Sequence, residues 1–503
     1  MATSHALTRW LFLRALAIVF LIAFLSYWVQ LDGLIGSRGI LPARALIDAA
    51  STWGAARFWH LPTLCWLGVS DGCLHALAAT GTLLSLVLLA GVATRLVLLL
   101  LWAIYLSLVV VGQTFYSFQW DILLLETAFT ALFFAPGSWR PRAPWSEGPV
   151  PRGGLWLVRG LTFKLMFLSG ITKLICLDPT WWGLTALDYH YWTQPLPVWT
   201  SWYAAQLPAS FQRASVFLMF VIELGAPLSI FCPRRWRIGG AFALLALQAL
   251  IAATGNYGFF NLLSAVLCLP LLDDRLLVRL LPRRWRHPAE PSAPAAVRGV
   301  RHWAYVVAVV LVGYASSLTF VEEMVRTRPP GKIGGLAGAL LDAGAVYVAP
   351  GRGLLELLGP FRTISGYGLF RSMTTSRPEI VIEASDDGQS WREIEFRWKP
   401  GDVTRRPRFV APHQPRLDWQ MWFAALNPRR AGPWLQGLLQ RVLEGSPPVL
   451  RLVGDPSLRA APPRFLRLAY YDYRFAAAGA WWQRERRGEL TAPLTRESFR
   501  PPS

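Results

Sequence analysis

The chain has 503 residues, of which 53% are hydrophobic and 16% are charged, and its formal net charge is +20 at pH 7. This composition is far more apolar than that of a soluble two-domain protein and indicates a polytopic membrane protein. The basic residues punctuate hydrophobic runs instead of clustering on a polar module, so we expect a lipid bilayer and no nucleic acid as partner.

Hydrophobic runs near the ~20 residues needed to cross a bilayer predict about nine membrane spans. The first run continues through Trp28 and shows no small-residue cleavage site, so we interpret it as an uncleaved helix and not as a signal peptide. The other predicted spans are residues 74–92, 96–111, 119–136, 155–176, 214–232, 238–254, 258–272 and 303–321. The fourth and eighth are short or polar, and half-membrane or interfacial elements are the alternative there.

Basic residues concentrate on alternate connections between these spans. They occur around Arg9, at Arg95 and within residues 140–159, 234–237 and 275–301, whereas the intervening connections carry few net positive charges. By the positive-inside rule the N-terminus is cytoplasmic, and after an odd number of crossings the C-terminal region is extracytoplasmic.

Three predicted extracytoplasmic loops, residues 112–121, 178–197 and 254–261, are rich in aromatic side chains. An aromatic belt at the membrane surface would explain the rings. The polar side chains among them favour a binding surface instead. The candidates for such a loop surface are Asp178, Trp181, Trp182, Asp188, His190, Gln194, Asn256 and Asn261.

Ionisable residues inside the predicted spans cost a few kcal/mol each unless they are paired or hydrated. These residues are Asp121, Glu126, Lys164, Lys173 and Glu223. Their depth predicts a pair of Asp121 with Lys173, and a pair of Lys164 with Glu223 or Glu126. Lys164 and Lys173 lie on opposite faces of a continuous helix, so one cluster holding both requires a break, for example at Gly170. Such pairs either fix helix packing or serve a lipid, proton or catalytic role.

The composition changes after the last predicted span. We divide the chain into a membrane domain (residues 1–321), a connector rich in Gly, Pro and Arg (322–364) and a β-rich, sandwich-like domain (365–503). In the last part, alternating residues from 379, the turn Asp386-Asp387-Gly388 and a returning run at 391–398 predict a hairpin. Further strands are predicted at 449–453 and 464–474, and a helix at 434–443.

The sequence contains no P-loop, HExxH or CxxC motif, so we predict no catalytic residue, metal or cofactor. A membrane enzyme acting on a lipid or an exported protein, through Lys164, Glu126, Glu223 and the 178–197 loop, is the alternative. A transporter is disfavoured because we find no internal repeat. Cys65 and Cys73 share a short loop and are candidates for one disulfide if that loop is extracytoplasmic; two unpaired thiols are the alternative.

Segments spread over nearly the whole chain resemble the lipase maturation factor family. They are, in order, YSFQWDILLLET (116–127), LMFLSGITKL (165–174), DPTWWGLTALDYHYWTQPLP (178–197), WYAAQLP (202–208), VIELGAP (221–227), TGNYGFFNLL (254–263), YGLFRSMTTSRPEIVIEASDDG (367–388) and KPGDVTRRPRFVAPHQPRLDWQMWFAAL (399–426). Their shared order through the membrane and soluble parts makes the resemblance specific.

The resemblance implies a multi-pass membrane protein of the endoplasmic reticulum that acts like a chaperone on exported clients, namely secreted lipases, with the soluble domain in contact with the client. The candidates for that contact are His413, Arg416, Trp419 and Trp422, where aromatic rings and cations are combined. For Trp419 the alternative is the core of its own domain. The Arg-rich composition and the lack of an Asn-x-Ser/Thr sequon favour a bacterial inner membrane as the location instead.

Overall fold

The computed structural model describes residues 4–144, 148–280, 299–459, 461–477 and 479–499. Most of the basic connection predicted at 275–301 therefore lies outside the described residues. The principal helices of the membrane part are α1 (Ala6–Trp28), α2 (Asp71–Ala90), α3 (Thr94–Val111), α4 (Gln119–Phe134), α5 (Arg152–Ile175), α6 (Ala209–Phe220), α7 (Arg234–Thr254), α8 (Phe260–Cys268) and α9 (Val300–Thr327).

Seven helical segments of the described residues are long and apolar enough to cross a membrane: α1, α2, α3, α5, α6 with its continuation to Phe231, α7 and α9. The predicted fourth and eighth spans correspond to the shorter helices α4 and α8. Helix α1 is apolar on all sides and is correspondingly packed among its neighbours, which is the arrangement expected of such a helix.

The helices run between two ends of the bundle. We call the end where α1 begins the proximal end, and the end where α1 finishes near Gln30 the distal end. At the proximal end, the carboxylate of Asp274 accepts hydrogen bonds from the backbone N–H of Ala6 (2.7 Å) and Thr8 (3.0 Å). At the distal end, the side chain of Gln30 accepts a hydrogen bond from the backbone N–H of Arg416 (2.8 Å). The N-terminus and the C-terminal region, the described residues from 365 onward, therefore lie at opposite ends of α1.

Helices α4 and α8 connect the same two ends. The α4 helix starts beside Arg416 at the distal end and finishes with Phe134 against Phe12, 5.6 Å between ring centroids, near the start of α1. The α8 helix starts with Phe260 near Trp120, and the turn that follows it contains Pro270, whose carbonyl accepts a hydrogen bond from Arg159 near the start of α5.

The segment between α9 and the C-terminal region is helical. It contains α10 (Gly335–Val348) and α11 (Arg352–Leu358). The α10 helix folds back along α9. Two contacts show this: the Tyr347 hydroxyl lies 2.6 Å from Ser317 Oγ, and Gly344 packs on Val321. The glycines of this segment, such as Gly344, allow the two helices to approach each other closely.

The C-terminal region contains one antiparallel sheet among its described residues. Its strands β1 (Pro378–Ser385), β2 (Arg392–Glu393), β3 (Phe465–Phe475) and β4 (Trp482–Glu489) lie in the order β2-β1-β3-β4. Helices α12 (Arg416–Leu426), α13 (Gly432–Glu444) and α14 (Pro447–Val453) accompany the sheet. The predicted sandwich is wrong, since α12 and not a second sheet packs against β1.

The hairpin, the strand at 464–474 and the helix at 434–443 are confirmed, whereas two details differ from the prediction. Residues 449–453 belong to α14, because Pro447 and Pro448 favour the first turn of a helix. The returning strand of the hairpin is only two residues long. The chain leaves the sheet after β2, and the Asp455 carboxylate there accepts a hydrogen bond from the backbone N–H of Glu395 (2.8 Å).

Candidate functional site

The carboxylate of Asp121, at the distal start of α4, is paired with a guanidinium from the C-terminal region. Arg416 donates from Nη1 to Oδ2 (2.5 Å) and from Nη2 to Oδ1 (2.7 Å), and the Tyr105 hydroxyl donates to Oδ1 (2.6 Å). Both charged side chains are almost fully buried. The predicted pair of Asp121 with Lys173 is wrong, because the partner of Asp121 comes from the C-terminal region, outside the predicted spans.

Lys164 and Glu126 form a second buried pair, which confirms one of the two predicted alternatives. Lys164 Nζ donates to Glu126 Oε1 (2.5 Å). The other carboxylate oxygen accepts from the Tyr367 hydroxyl (2.5 Å) and from the backbone N–H of Ser365 (3.1 Å). This pair therefore joins α4 and α5 to the start of the C-terminal region.

The third pair joins α5 to α6. Lys173 Nζ donates to Glu223 Oε2 (2.7 Å) and to the carbonyl of Ser169 (2.8 Å). Helix α5 is continuous, so its two lysines serve separate pairs on different faces, and Gly170 marks a contact with Leu224 instead of a break. Glu223 lies in a π-helical turn, Val221–Gly225. Such a turn is expected here because Pro227 cannot donate the regular hydrogen bond to residue 223.

The loop at 178–197 forms two short helices, Pro179–Trp182 and Ala186–Thr193, beneath the C-terminal region. One carboxylate oxygen of Asp178 caps the first helix by accepting a hydrogen bond from the backbone N–H of Thr180. Its other oxygen accepts a hydrogen bond from the backbone N–H of Met373 (3.0 Å). The indole N–H of Trp181 donates to the carbonyl of Phe370 (3.0 Å). The loop is thus a docking surface for the same chain.

Other candidates from the loops extend this contact. His190 Nε2 lies 2.9 Å from the Tyr257 hydroxyl, which donates to Gln194 Oε1 (2.7 Å). Burial, with Lys173 nearby, lowers the pKa of His190 to about 4, so the ring is neutral at pH 7. Asn256 Oδ1 accepts the backbone N–H groups of residues 410 and 411.

Asn261, in contrast, bonds within the membrane part, where its amide donates to Gln248 Oε1 (3.0 Å). Trp182 and Asp188 are exposed at the surface. Cys65 and Cys73 are both free thiols, so the proposed disulfide is not formed in the structure.

The four residues predicted to contact a client are turned toward the membrane helices. Arg416, Trp419 and Trp422 are only 1%, 3% and 7% exposed. Trp419 packs edge-on against Trp120, and Trp422 donates to the carbonyl of Thr193 (2.9 Å). His413 Nδ1 lies 2.9 Å from Ser26 Oγ. The expectation of an open surface at these residues is corrected to an internal contact, because their rings and charges match buried partners across the interface.

Sequence reasoning missed two residues of this contact. Tyr367 reaches Glu126, and the buried guanidinium of Arg377 donates to the carbonyls of Trp192 (2.9 Å) and Pro195 (2.8 Å). Arg377 also pairs with Glu379. Their partners in the membrane part lie more than a hundred positions away along the chain, so no local pattern identifies this contact.

A cleft of about 380 Å³ lies at the distal end between α5, α6, α7 and α8, and the loop helix Ala186–Thr193 closes one side of it. The lining is mostly apolar, and the Lys173–Glu223 pair and His190 are among its few polar groups. No group of three or more His, Cys, Asp or Glu side chains arranged to hold a metal ion occurs within the described residues.

Comparison with known families gives two matches that cover both parts of the chain. Residues 7–279 match the lipase maturation factor transmembrane domain, and residues 363–492 match the lipase maturation factor C-terminal domain. The chain belongs to the lipase maturation factor family. The buried contacts of Asp121 with Arg416 and of Glu126 with Tyr367 therefore join the two family domains to each other.

Relatives in this family align over nearly the whole chain. Lipase maturation factor 2 of Rattus norvegicus is 38% identical over 96% of this chain and 82% of its own length. The human lipase maturation factor 2 is 38% identical over 95% of this chain and 81% of its own length. Lipase maturation factor 1 of Bos taurus is 33% identical over 99% of this chain and 91% of its own length. No solved structure matches the chain. These names do not support the membrane-enzyme alternative.

Proposed function

We propose that this protein is a membrane-embedded maturation factor that acts like a chaperone on secreted lipases. The observation that carries the proposal is the family membership over nearly the full chain. The geometry is consistent with it, since Asp121 with Arg416 and the Lys164–Glu126 pair with Tyr367 hold the C-terminal region on the distal end of the bundle.

We propose nine passages through the membrane, with α4 and α8 as the two short ones, a cytoplasmic N-terminus and an extracytoplasmic C-terminal region. Support comes from the charge alternation of the connections and from the opposite positions of the N-terminus and the C-terminal region along α1. The division into residues 1–321, 322–364 and 365–503 belongs to this proposal. The location is the endoplasmic reticulum membrane, or the inner membrane if the host is bacterial.

The client surface we assign lies beside the buried contact. Trp199, Tyr203 and Phe409 are exposed, and their rings pack on one another with centroids 5.9 to 6.1 Å apart. Exposed aromatic side chains are enriched at sites where proteins bind each other. The buried residues Arg416, Trp419 and Trp422 would then act indirectly, by holding this surface in place.

The test is co-expression with a dimeric secreted lipase in cells that lack a factor of their own, with the secreted lipase activity per lipase molecule as the readout. The full chain is expected to raise this specific activity, and deletion of residues 365–503 is expected to abolish the increase. Trp199→Ala with Phe409→Ala is expected to reduce it, whereas Trp236→Ala, an exposed Trp at the proximal end, serves as the matched control. Full maturation by the deletion variant would overturn the proposal.

A further inference from the structure

The cleft results from the way α6 and α7 diverge. Near the proximal end the two helices touch, since Gly240 of α7 packs on Ser229 so closely that a Cβ at this position would have no room. The π turn at Val221–Gly225 also packs on α7, but the first turns of α6 have few contacts with it. The helices therefore form a V that opens toward the distal end.

The open side of the V faces the surrounding bilayer. Phe211 on α6 and Leu250 on α7 line the cleft and are 53% and 64% exposed. Both helices lie at the periphery of the bundle, where exposed apolar side chains contact lipid. A ligand can therefore enter laterally from the membrane without crossing water.

The inner wall of the cleft carries hydrogen-bond donors that the protein leaves underused. Ser264 is fully buried, and its hydroxyl has no hydrogen-bond partner among the described residues. The side-chain N–H of Gln248 has only the weak acceptor Met166 Sδ at 3.8 Å, while its oxygen is occupied by Asn261. Because buried polar groups are nearly always satisfied, an unpartnered hydroxyl beside a cavity points to a ligand that accepts a hydrogen bond.

The charge of the cleft limits what that ligand can be. Lys173 and Glu223 line the cleft but neutralise each other at 2.7 Å, and the rest of the wall is mainly apolar. A ligand with a charged group inside the cleft would lack a counter-charge, whereas an uncharged carbonyl oxygen on a long apolar chain fits both the donors and the walls. The volume of about 380 Å³ lies in the range of small-ligand sites.

We propose that the cleft binds one long acyl chain from the bilayer, with the acyl carbonyl oxygen accepting hydrogen bonds from Ser264 and Gln248. The tail lies along Leu165, Val216 and Phe211. This site goes beyond the proposed maturation function and does not depend on it. The acyl group comes either from a phospholipid or from a free fatty acid in its protonated form, which share this uncharged carbonyl.

The experiment uses the full chain in phosphatidylcholine nanodiscs and two photoactivatable probes, a diazirine palmitic acid and a phosphatidylcholine with the same acyl chain. After illumination, mass spectrometry maps the labelled peptides. We expect labelling concentrated in residues 207–223 and 247–264. Competition with unlabelled palmitic acid or unlabelled phosphatidylcholine identifies the source. Equal labelling of all lipid-facing helices would overturn the proposal. So would native mass spectrometry that shows a peptide bound to the protein and no bound lipid.

Three variants sharpen the test. Met219→Trp fills the cleft and is expected to lower its labelling about tenfold, which corresponds to a loss of one order of magnitude in affinity. Leu218→Trp, one position away on the lipid-facing side of α6, is the matched control and is expected to label like the wild type.

If Met219→Trp does not fold, Ser264→Ala decides the question. It retains the packing and is expected to lower labelling about fivefold through the lost hydrogen bond. Unchanged labelling of the folded variant refutes the site.

Discussion

The inner helices α1, α3, α4 and α5 and the peripheral helices α6 and α7 are assembled differently. The most apolar stretches of α1, α3 and α5 are 61% buried, whereas those of α6 with its continuation and of α7 are 28% buried. The inner group is joined to the C-terminal region by Asp121–Arg416 and by Glu126 with Lys164 and Tyr367. The peripheral helices meet through the close approach of Gly240 to Ser229.

This difference teaches how a membrane protein specifies its assembly without a hydrophobic driving force between helices. In lipid, polar contacts and close backbone packing replace that force. The inner group uses directional charge pairs, which determine where the C-terminal region docks. The two peripheral helices contact each other through close packing at one end only, which leaves the cleft at the other end.

The largest effect is expected from breaking the inner assembly at Arg416. The variant Arg416→Met leaves the Asp121 carboxylate buried without its counter-charge, and removal of one partner of a buried pair costs about 3–5 kcal/mol. The free energy of unfolding in mixed detergent micelles measures this loss. Adding Asp121→Asn is expected to restore part of the stability. Arg328→Met removes a more exposed ion pair and is the control, with an expected loss below about 1 kcal/mol. If Arg416→Met were as stable as the wild type, this would contradict the role assigned to the pair.

A smaller effect is expected from Lys164→Met. Glu126 keeps the hydrogen bonds from the Tyr367 hydroxyl and the Ser365 backbone after the ammonium is lost, so we expect a loss of about 2–3 kcal/mol. The same micelle titration measures it, and Lys164→Met with Glu126→Gln is expected to recover part of the loss. If Lys164→Met kept its stability but lost lipase maturation, a catalytic or proton role would replace the packing role. Normal stability together with normal maturation would exclude both.

The peripheral assembly is tested at adjacent glycines. Gly240→Ala places a methyl group where Ser229 already lies, so the base of the V must widen at a cost of about 1–2 kcal/mol. Gly239→Ala is the matched control, because a Cβ there meets nothing within 4 Å and alanine favours the helix over glycine. Both are compared by thermal unfolding in nanodiscs. If the two variants behave alike, close packing at Gly240 does not hold the peripheral helices together.

The sequence could predict those features of the molecule that depend on residues close together along the chain. Hydrophobic periodicity and length locate the membrane helices, since each span is a local property of about twenty residues. The hairpin around Asp387 is local in the same way, and it is confirmed. The pairing of Lys164 with Glu126 follows from depth, because both lie inside spans.

Contacts between distant parts of the chain could not be derived in this way. The partner of Asp121 is Arg416, which lies in a helix outside the membrane part, and depth along a span carries no information about it. The same holds for Trp419, whose ring suits a binding surface and a buried interface equally well. The cleft could not be predicted either, since it depends on the divergence of α6 from α7 and on the π turn that carries Glu223.

The last effect depends on pH and is expected within the C-terminal region, at a carboxyl group outside the membrane. Burial raises the pKa of Asp418 from its ordinary value of 3.8 to about 6, against the hydrogen bonds from the backbone N–H of Lys399 and Trp398 and the nearby charges of Lys399 and Arg405. Since the folded state binds this proton more tightly than the unfolded state, the group destabilises the fold progressively as the pH rises from about 4 to about 6.

Asp418→Asn keeps an acceptor oxygen but removes the ionisation. The stability of the variant relative to the wild type is therefore expected to rise between about pH 4 and pH 6 and to level off above that range. Other titrating groups, among them His413, contribute equally to both proteins and cancel in the difference. Thermal unfolding at a series of pH values measures it, with Asp386→Asn in the exposed turn as control. A difference that stays constant across this range would mean that Asp418 is not desolvated, and that the C-terminal region is less tightly packed against its own α12 than the inner helices are against one another.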